Sequence, residues 1–201
     1  MLRRRSMIGA GGVAIAVAIA RHAARGATGV VEIHMRSNAE GSHVGFDPVG
    51  LLIQPGQTVR WVCAANVHTT AAYHPANDGH SLRIPRAARP WVSDFLLPGE
   101  TFAVVLTVEG VYDYFCSPHE QGGMVGRIIV GRPAGPGSFP FDYFKNGAEG
   151  RDWLDVPPDA RAVFPSVAEI MQRNIVPATM ISSAICRSGT RFALLRRISP
   201  Y

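Results

Sequence analysis

Between residues 30 and 130, apolar positions recur in short runs with the period of a pleated strand, and turn residues separate the runs. The strand-like runs are VVEIHM (30–35), VGLLI (49–53), TVRWVC (58–63), VHTTAAY (67–73), TFAVVLTV (101–108), VYDYFC (111–116) and MVGRIIV (124–130). TVRWVC alternates most clearly and is rich in β-branched and aromatic residues, which suit a half-buried pleat. QPGQ (54–57) and LPGE (97–100) are turns, and EG (109–110) is a tight connection. The polar, Pro-bearing stretch with PANDGH (75–80) and IPRAARP (84–90) reads as one long loop. So many short strands with few helical periods predict an all-β fold, a Greek-key β-sandwich.

Residues 131–201 follow a different pattern. GRPAGPGSFP is a Gly/Pro-rich linker, while FDYF and DWLDVPPDA mix aromatics with prolines and could wrap the sandwich surface. PSVAEIMQRN (165–174) opens with Pro165 and Ser166 and places Val167, Ile170 and Met171 at helical spacing, which predicts one short helix. From Ile175 onward there is no clear period, and Pro177 breaks the apolar run; this end is expected to be loosely packed. The C-terminal extension is thus mostly irregular, with one short helix.

Composition changes the picture mainly at the N-terminus. The length suits one ordinary domain plus extensions, and 47% apolar residues supply a core. A net charge of +5 would suggest a polyanionic partner if it were evenly spread. It is not: Arg3, Arg4 and Arg5 precede an uncharged run over 7–20, and small residues at Ala18 and Ala20 complete a signal peptide placed at 1–24. The run is shorter than the roughly 20 residues a bilayer span needs, which favours export over a retained anchor. Arg4-Arg5-Ser6-Met7-Ile8 also resembles a twin-arginine signal, so both export routes stay open. Cleavage after Ala20 removes three arginines and leaves +2, and cleavage after Ala24 leaves +1. Nothing then points to nucleic acid. Three cysteines in an exported chain leave at least one unpaired; a Cys63–Cys186 bridge and two separate thiols are both open.

The candidate chemistry lies in FCSPHEQGGM (115–124), which holds Cys116, His119 and Met124, punctuated by Pro118, Gly122 and Gly123. Thiolate, imidazole and thioether together suit a transition ion, and blue-copper sites take two His and one Cys in a plane with a distant Met. The missing histidine must come from another segment, and His68 is the best placed. His74 precedes Pro75 and begins the long loop, and His80 follows the NDG turn, so both are expected to be solvated. His34 and His43 are expected on the surface. Trp61 and Phe102 read as core, and Tyr112 and Tyr114 as packing beside the loop.

YFCSPHEQGGMVGRIIV resembles the copper loop and last strand of plastocyanins and related cupredoxins, with the same Cys-x2-His-x4-Met spacing. TVRWVCAANVHTT resembles the segment carrying their first histidine. The resemblance covers residues 30–130, the cupredoxin domain, and leaves out the signal peptide and 131–201. It implies one mononuclear type 1 copper held by His68, Cys116, His119 and Met124. One departure is Thr69, where plastocyanins usually have an Asn whose backbone N–H bonds the cysteine sulfur and whose side chain pins the loops.

Four protein ligands leave no open coordination position for a substrate. Cys116 is flanked by Phe115 and Ser117, so the His-Cys-His bridge of multicopper enzymes is missing, as is a second cysteine for a binuclear copper loop. The expectation is therefore not an enzyme but a periplasmic or otherwise extracytoplasmic one-electron carrier. The resemblance implies transient redox protein partners that dock where His119 meets the surface, framed by Pro118, Gly122, Gly123 and Met124. The carrier is expected to be monomeric and free of the membrane after signal removal. The alternative is a copper-handling protein without a carrier role. That role favours exposed, Met-rich ligands, and the six methionines here are scattered.

Overall fold

A computed structural model of the chain describes residues 29–145, 147–178 and 181–182. The predicted signal peptide and Cys186 lie outside the described residues. Eight strands build the body: β1 (Val30–Ser37), β2 (His43–Asp47), β3 (Gly50–Ile53), β4 (Gln57–Cys63), β5 (Ala71–Ala72), β6 (Thr101–Leu106), β7 (Gly110–Phe115) and β8 (Val125–Val130). The extension adds α1 (Pro158–Val163), α2 (Val167–Arg173), β9 (Ile175–Val176) and β10 (Ile181–Ser182). The strands form two five-stranded sheets, ordered β10-β2-β1-β4-β6 and β5-β7-β8-β3-β9. The all-β sandwich expectation holds.

Alternation decides which side chains meet between the sheets. On β4, Val59, Trp61 and Cys63 are buried while Thr58, Arg60 and Val62 are half-exposed. They join Ile33 and Met35 of β1, Phe46 of β2, Tyr112 and Tyr114 of β7, and Ile128 and Val130 of β8 in the main core. Phe102 packs against this cluster but is only partly buried.

β7 and β8 are buried along their whole length. The second sheet is covered on its outer face too, because the extension folds back over it. Val49, Val111, Ile129, Ile170 and Val176 form one outer cluster; Tyr73, Phe115, Val125, Val156 and Ala160 form another. The one charge on this face of β7, Asp113, lies opposite Arg127 of β8. It receives Arg83 Nε at 2.7 Å and Arg127 Nε at 2.7 Å. The two arginines then reach into the extension: Arg83 Nη2 donates to the Gly137 and Phe139 carbonyls, and Arg127 Nη1 donates to that of Pro165.

Several expectations are corrected here. The predicted helix is present as α2, opened by Ser166, whose hydroxyl accepts the Glu169 N–H at 3.0 Å. A second helix, α1, starts at the prolines of DWLDVPPDA, where Pro158 loses no needed N–H bond. The end after Ile175 is not loosely packed throughout, since β9 pairs with β3 and β10 with β2. HVGFD, unassigned in the sequence, forms β2 with Val44 and Phe46 inward. The predicted strand 67–73 shortens to β5 plus single bridges at His68–Leu96 and Ala71–Val92. Among the described residues no helix is long and apolar enough to cross a membrane.

Candidate metal centre

β7 delivers Cys116 to the edge of the core, and a single 3-10 turn, Ser117–Gly122, follows with Pro118 in its first turn. Backbone bonds close this loop on itself. His119 N–H donates to Cys116 O at 3.0 Å, Met124 N–H to His119 O at 3.1 Å, and Cys116 N–H to Met124 O at 3.0 Å. Gly123 ends the turn in the left-handed region (φ +83°), and an added Cβ would fall 2.9 Å from Val163 Cγ2 of α1. The loop is thus shaped by its own glycine and backed by the extension.

His68 reaches the same place from its bridge with Leu96. Its Nε2 lies 3.2 Å from Ser37 Oγ. That hydroxyl donates to Ala65 O at 3.3 Å, so it accepts from the imidazole, and Nδ1 is left without a proton on the inner side.

Three donor atoms converge. His68 Nδ1 and His119 Nδ1 are 3.2 Å apart, and Cys116 Sγ lies 3.8 Å from the first and 3.4 Å from the second. A point equidistant from all three is about 2.0 Å from each, the bonding distance of a first-row ion to imidazole and slightly short for thiolate. His68 and Cys116 are buried and His119 is half-buried. Met124, the fourth predicted ligand, is fully buried in the same core cluster as Cys116.

The imidazoles and the thiol differ in readiness to bind a metal. Burial, then the neighbouring His119, hold His68 down at about 4, and burial lowers His119 as well, so both imidazoles are neutral and able to bind. Burial pushes the Cys116 thiol up to about 11, against the hydrogen bonds from Thr69. At neutral pH the free protein keeps this proton, and binding a metal would release it.

Thr69 supplies what its place in the sequence asks. Its N–H donates to Cys116 Sγ at 3.3 Å, and its hydroxyl both lies 3.8 Å from that sulfur and accepts the Ser117 N–H at 2.8 Å. A shorter side chain than Asn still pins the two loops.

His74 stays outside the cluster, half-buried, its Nδ1 accepting from Ala76 N–H. His80 overturns the solvated expectation. It is buried, stacked on Phe115 at 4.3 Å, with Nδ1 2.7 Å from Asn77 O and Nε2 3.1 Å from Glu120 Oε2. The turn chemistry of NDG hid this, because its partner stands 40 residues further on. Ser37, Tyr73 and Glu120 also escaped sequence reasoning, and no local pattern marks them. Among the described residues Cys63 is buried and unbridged; its thiol donates to Asn66 O at 3.3 Å and takes no part in the donor triangle.

Residues 33–131 match the family of copper binding proteins described as plastocyanin/azurin. Chloroplastic plastocyanin of Chlamydomonas reinhardtii is 31% identical over 126 residues, 62% of this chain and 79% of the relative. A pseudoazurin from Methylorubrum extorquens is 28% identical over 133 residues, 65% of this chain and 80% of the relative. The solved structure of a Sinorhizobium pseudoazurin, 27% identical, aligns over 73% of this chain and 98% of its own with a TM-score of 0.49. Sequence match and donor geometry converge on copper as the metal, and the chain belongs to the plastocyanin/azurin family of copper binding proteins.

Proposed function

We propose that the protein is an exported blue copper carrier that passes single electrons between redox proteins, and that His68, Cys116, His119 and Met124 are the residues that would hold its one copper ion. The observation that carries this reading is the donor triangle, two neutral imidazoles and a thiol around a point about 2.0 Å from each. Copper supplies the one-electron couple when bound. The chain's residues do the remaining work: Ser37 and Thr69 orient His68 and Cys116, the core excludes water, and the closed loop limits movement between oxidation states.

The difference in exposure among these residues supports a route outward through His119. His68, Cys116 and Met124 are fully buried, whereas His119 is half-buried beside exposed Pro118. Val67, Phe95 and Leu97, exposed by 39%, 65% and 53%, lie next to the residues of the His68–Leu96 bridge and add apolar surface at this end. A small apolar rim suits brief docking of protein partners. The basic, apolar start of the sequence supports export. Buried ligands also favour a carrier over a copper-handling protein, which must give its ion up.

The test is the visible spectrum of the copper-loaded protein. An intense thiolate-to-copper band, bleached reversibly by a mild reductant and lost in Cys116→Ser but kept in Cys63→Ser, is expected. A copper-saturated parent without this band would remove the assignment.

A further inference from the structure

Six residues make the turn that carries His119, and only one of them, Glu120, is buried. Ser117, Pro118 and Gln121 are exposed, and Gly122 has no side chain to anchor anything. His119 itself is weakly held. Among the described residues its Nδ1 faces only His68 and Cys116, and no protein partner meets its Nε2, in contrast to the Ser37 contact that fixes His68. Beyond the Ser117 N–H bond to Thr69 and the loop's own backbone bonds, the side chain that anchors the turn is that of Glu120.

Glu120 is 8% exposed, and a carboxylate so placed is expensive unless both oxygens are satisfied. They are. Tyr73 donates its hydroxyl to Oε1 at 2.7 Å, and His80 Nε2 meets Oε2 at 3.1 Å. The Asn77 carbonyl 2.7 Å from His80 Nδ1 can only accept, so Nδ1 carries a proton, and the His80–Glu120 contact holds a second one between them. Both partners are fixed in turn. Tyr73 N–H donates to Asp113 O of β7 and its carbonyl accepts Arg83 N–H. His80 stacks on Phe115, and its neighbours Gly79 and Ser81 exchange backbone bonds with Leu154 of the extension.

We propose that Glu120 is a positioning residue for the metal centre, tying the turn that carries His119 to Tyr73 and His80 and so fixing that imidazole against Cys116 and His68. The proposal rests on the copper reading. It accounts for a buried carboxylate directly after the most exposed of the proposed ligands, and for a long loop and an extension that are packed together behind it. The role is geometric and does not depend on the charge of Glu120. A glutamine can accept from Tyr73 through its oxygen and donate to His80 Nε2 through its amide, with His80 as the Nδ1–H tautomer.

The experiment compares Glu120→Ala, Glu120→Gln and Tyr73→Phe with the parent, full-length, as copper-loaded and copper-free proteins. Glu120→Ala is expected to raise the copper dissociation constant about tenfold or more and to change the ratio of the thiolate-to-copper bands. In the copper-free protein it should speed amide exchange at Gly123 and Met124 about tenfold. Tyr73→Phe should move the same readouts less, and Glu120→Gln should stay within about threefold of the parent. A lower melting temperature in Glu120→Ala with dissociation constant, band ratio and amide exchange unchanged would overturn the proposal, as would a Gln variant no better than Ala. Should Glu120→Ala fail to fold, Tyr73→Phe decides on the same readouts. A parent without a thiolate-to-copper band would sink the copper reading alone, because amide exchange in the copper-free variants still reports the tether.

Discussion

Replacing Asp113 with Asn keeps the shape of the side chain and removes one negative charge from between two guanidinium groups. Asp113 is 0% exposed, and Arg83 and Arg127 are 2% and 7% exposed, so water cannot replace it. The carboxylate receives Arg83 Nε at 2.7 Å on Oδ2, Arg127 Nε at 2.7 Å on Oδ1 and Arg127 Nη2 at 2.9 Å on Oδ2. An amide keeps one accepting oxygen and turns an N–H group against an arginine donor, leaving two buried cations without a counter-ion. Breaking a buried pair this way costs about 3–5 kcal/mol, against a total stability of about 5–15 kcal/mol. For a chain of this size each kcal/mol moves the melting temperature by about 2–4 °C, so a fall of roughly 6–20 °C is expected. Thermal unfolding followed by circular dichroism measures it, and the thiolate-to-copper band should keep its position at low temperature. A companion variant, Asp113→Leu with Arg83→Met and Arg127→Met, should recover part of the loss. It should not surpass the parent, because the Gly137, Phe139 and Pro165 carbonyls lose their donors at about 1 kcal/mol each. A melting temperature for Asp113→Asn within about 2 °C of the parent would refute the reasoning.

Met124→Leu should keep copper and colour, cost less than about 1.5 kcal/mol in stability and raise the reduction potential, because a thioether favours the oxidised ion; voltammetry of both proteins in one buffer checks it. Thr69→Val removes the acceptor of the Ser117 N–H and a weak donor to the Cys116 sulfur, and a copper affinity about tenfold weaker with a lower potential is expected from metal titration and voltammetry. Burial pulls the His80 imidazole down, but the Glu120 hydrogen bond, the Asn77 carbonyl and the charges of Glu120 and Asp78 carry it above its ordinary 6.5. Its contribution to folding is therefore full below about pH 6.5 and disappears as pH rises through the raised folded value. Denaturant midpoints of the copper-free protein should fall more between about pH 6 and pH 9 in the parent than in His80→Gln, and equal slopes would contradict this.

The legible parts of the molecule were those whose cause is local. Cys116, His119 and Met124 stand in one loop, so their spacing was visible, and the alternation of TVRWVC placed Trp61 and Cys63 inward. His68 comes from another segment, which the fold brings beside Cys116 and His119. The segment after it misled, because Thr70 takes bonds from the side chains around it: its N–H meets Ser93 Oγ and its hydroxyl accepts Trp91 Nε1–H. A ladder strand therefore gives way to single bridges. The burial of His80 and of Leu82 and Ile84 depends on partners far along the chain, which no window of sequence contains. VYDYFC and MVGRIIV do not alternate, and strands apolar on both sides belong to sheets covered on both faces.

The position of β9 and β10 bears on how the chain is made. Each supplies an edge strand, β9 to the sheet containing β3 and β10 to the sheet containing β2, and both come from the last part of the described chain. During synthesis the N-terminal strands emerge first, so a nascent chain carries two incomplete sheets with the unpaired backbones of β2 and β3 open to other strands. Any truncation before Ile175 reproduces that state permanently, baring an edge on each sheet at once.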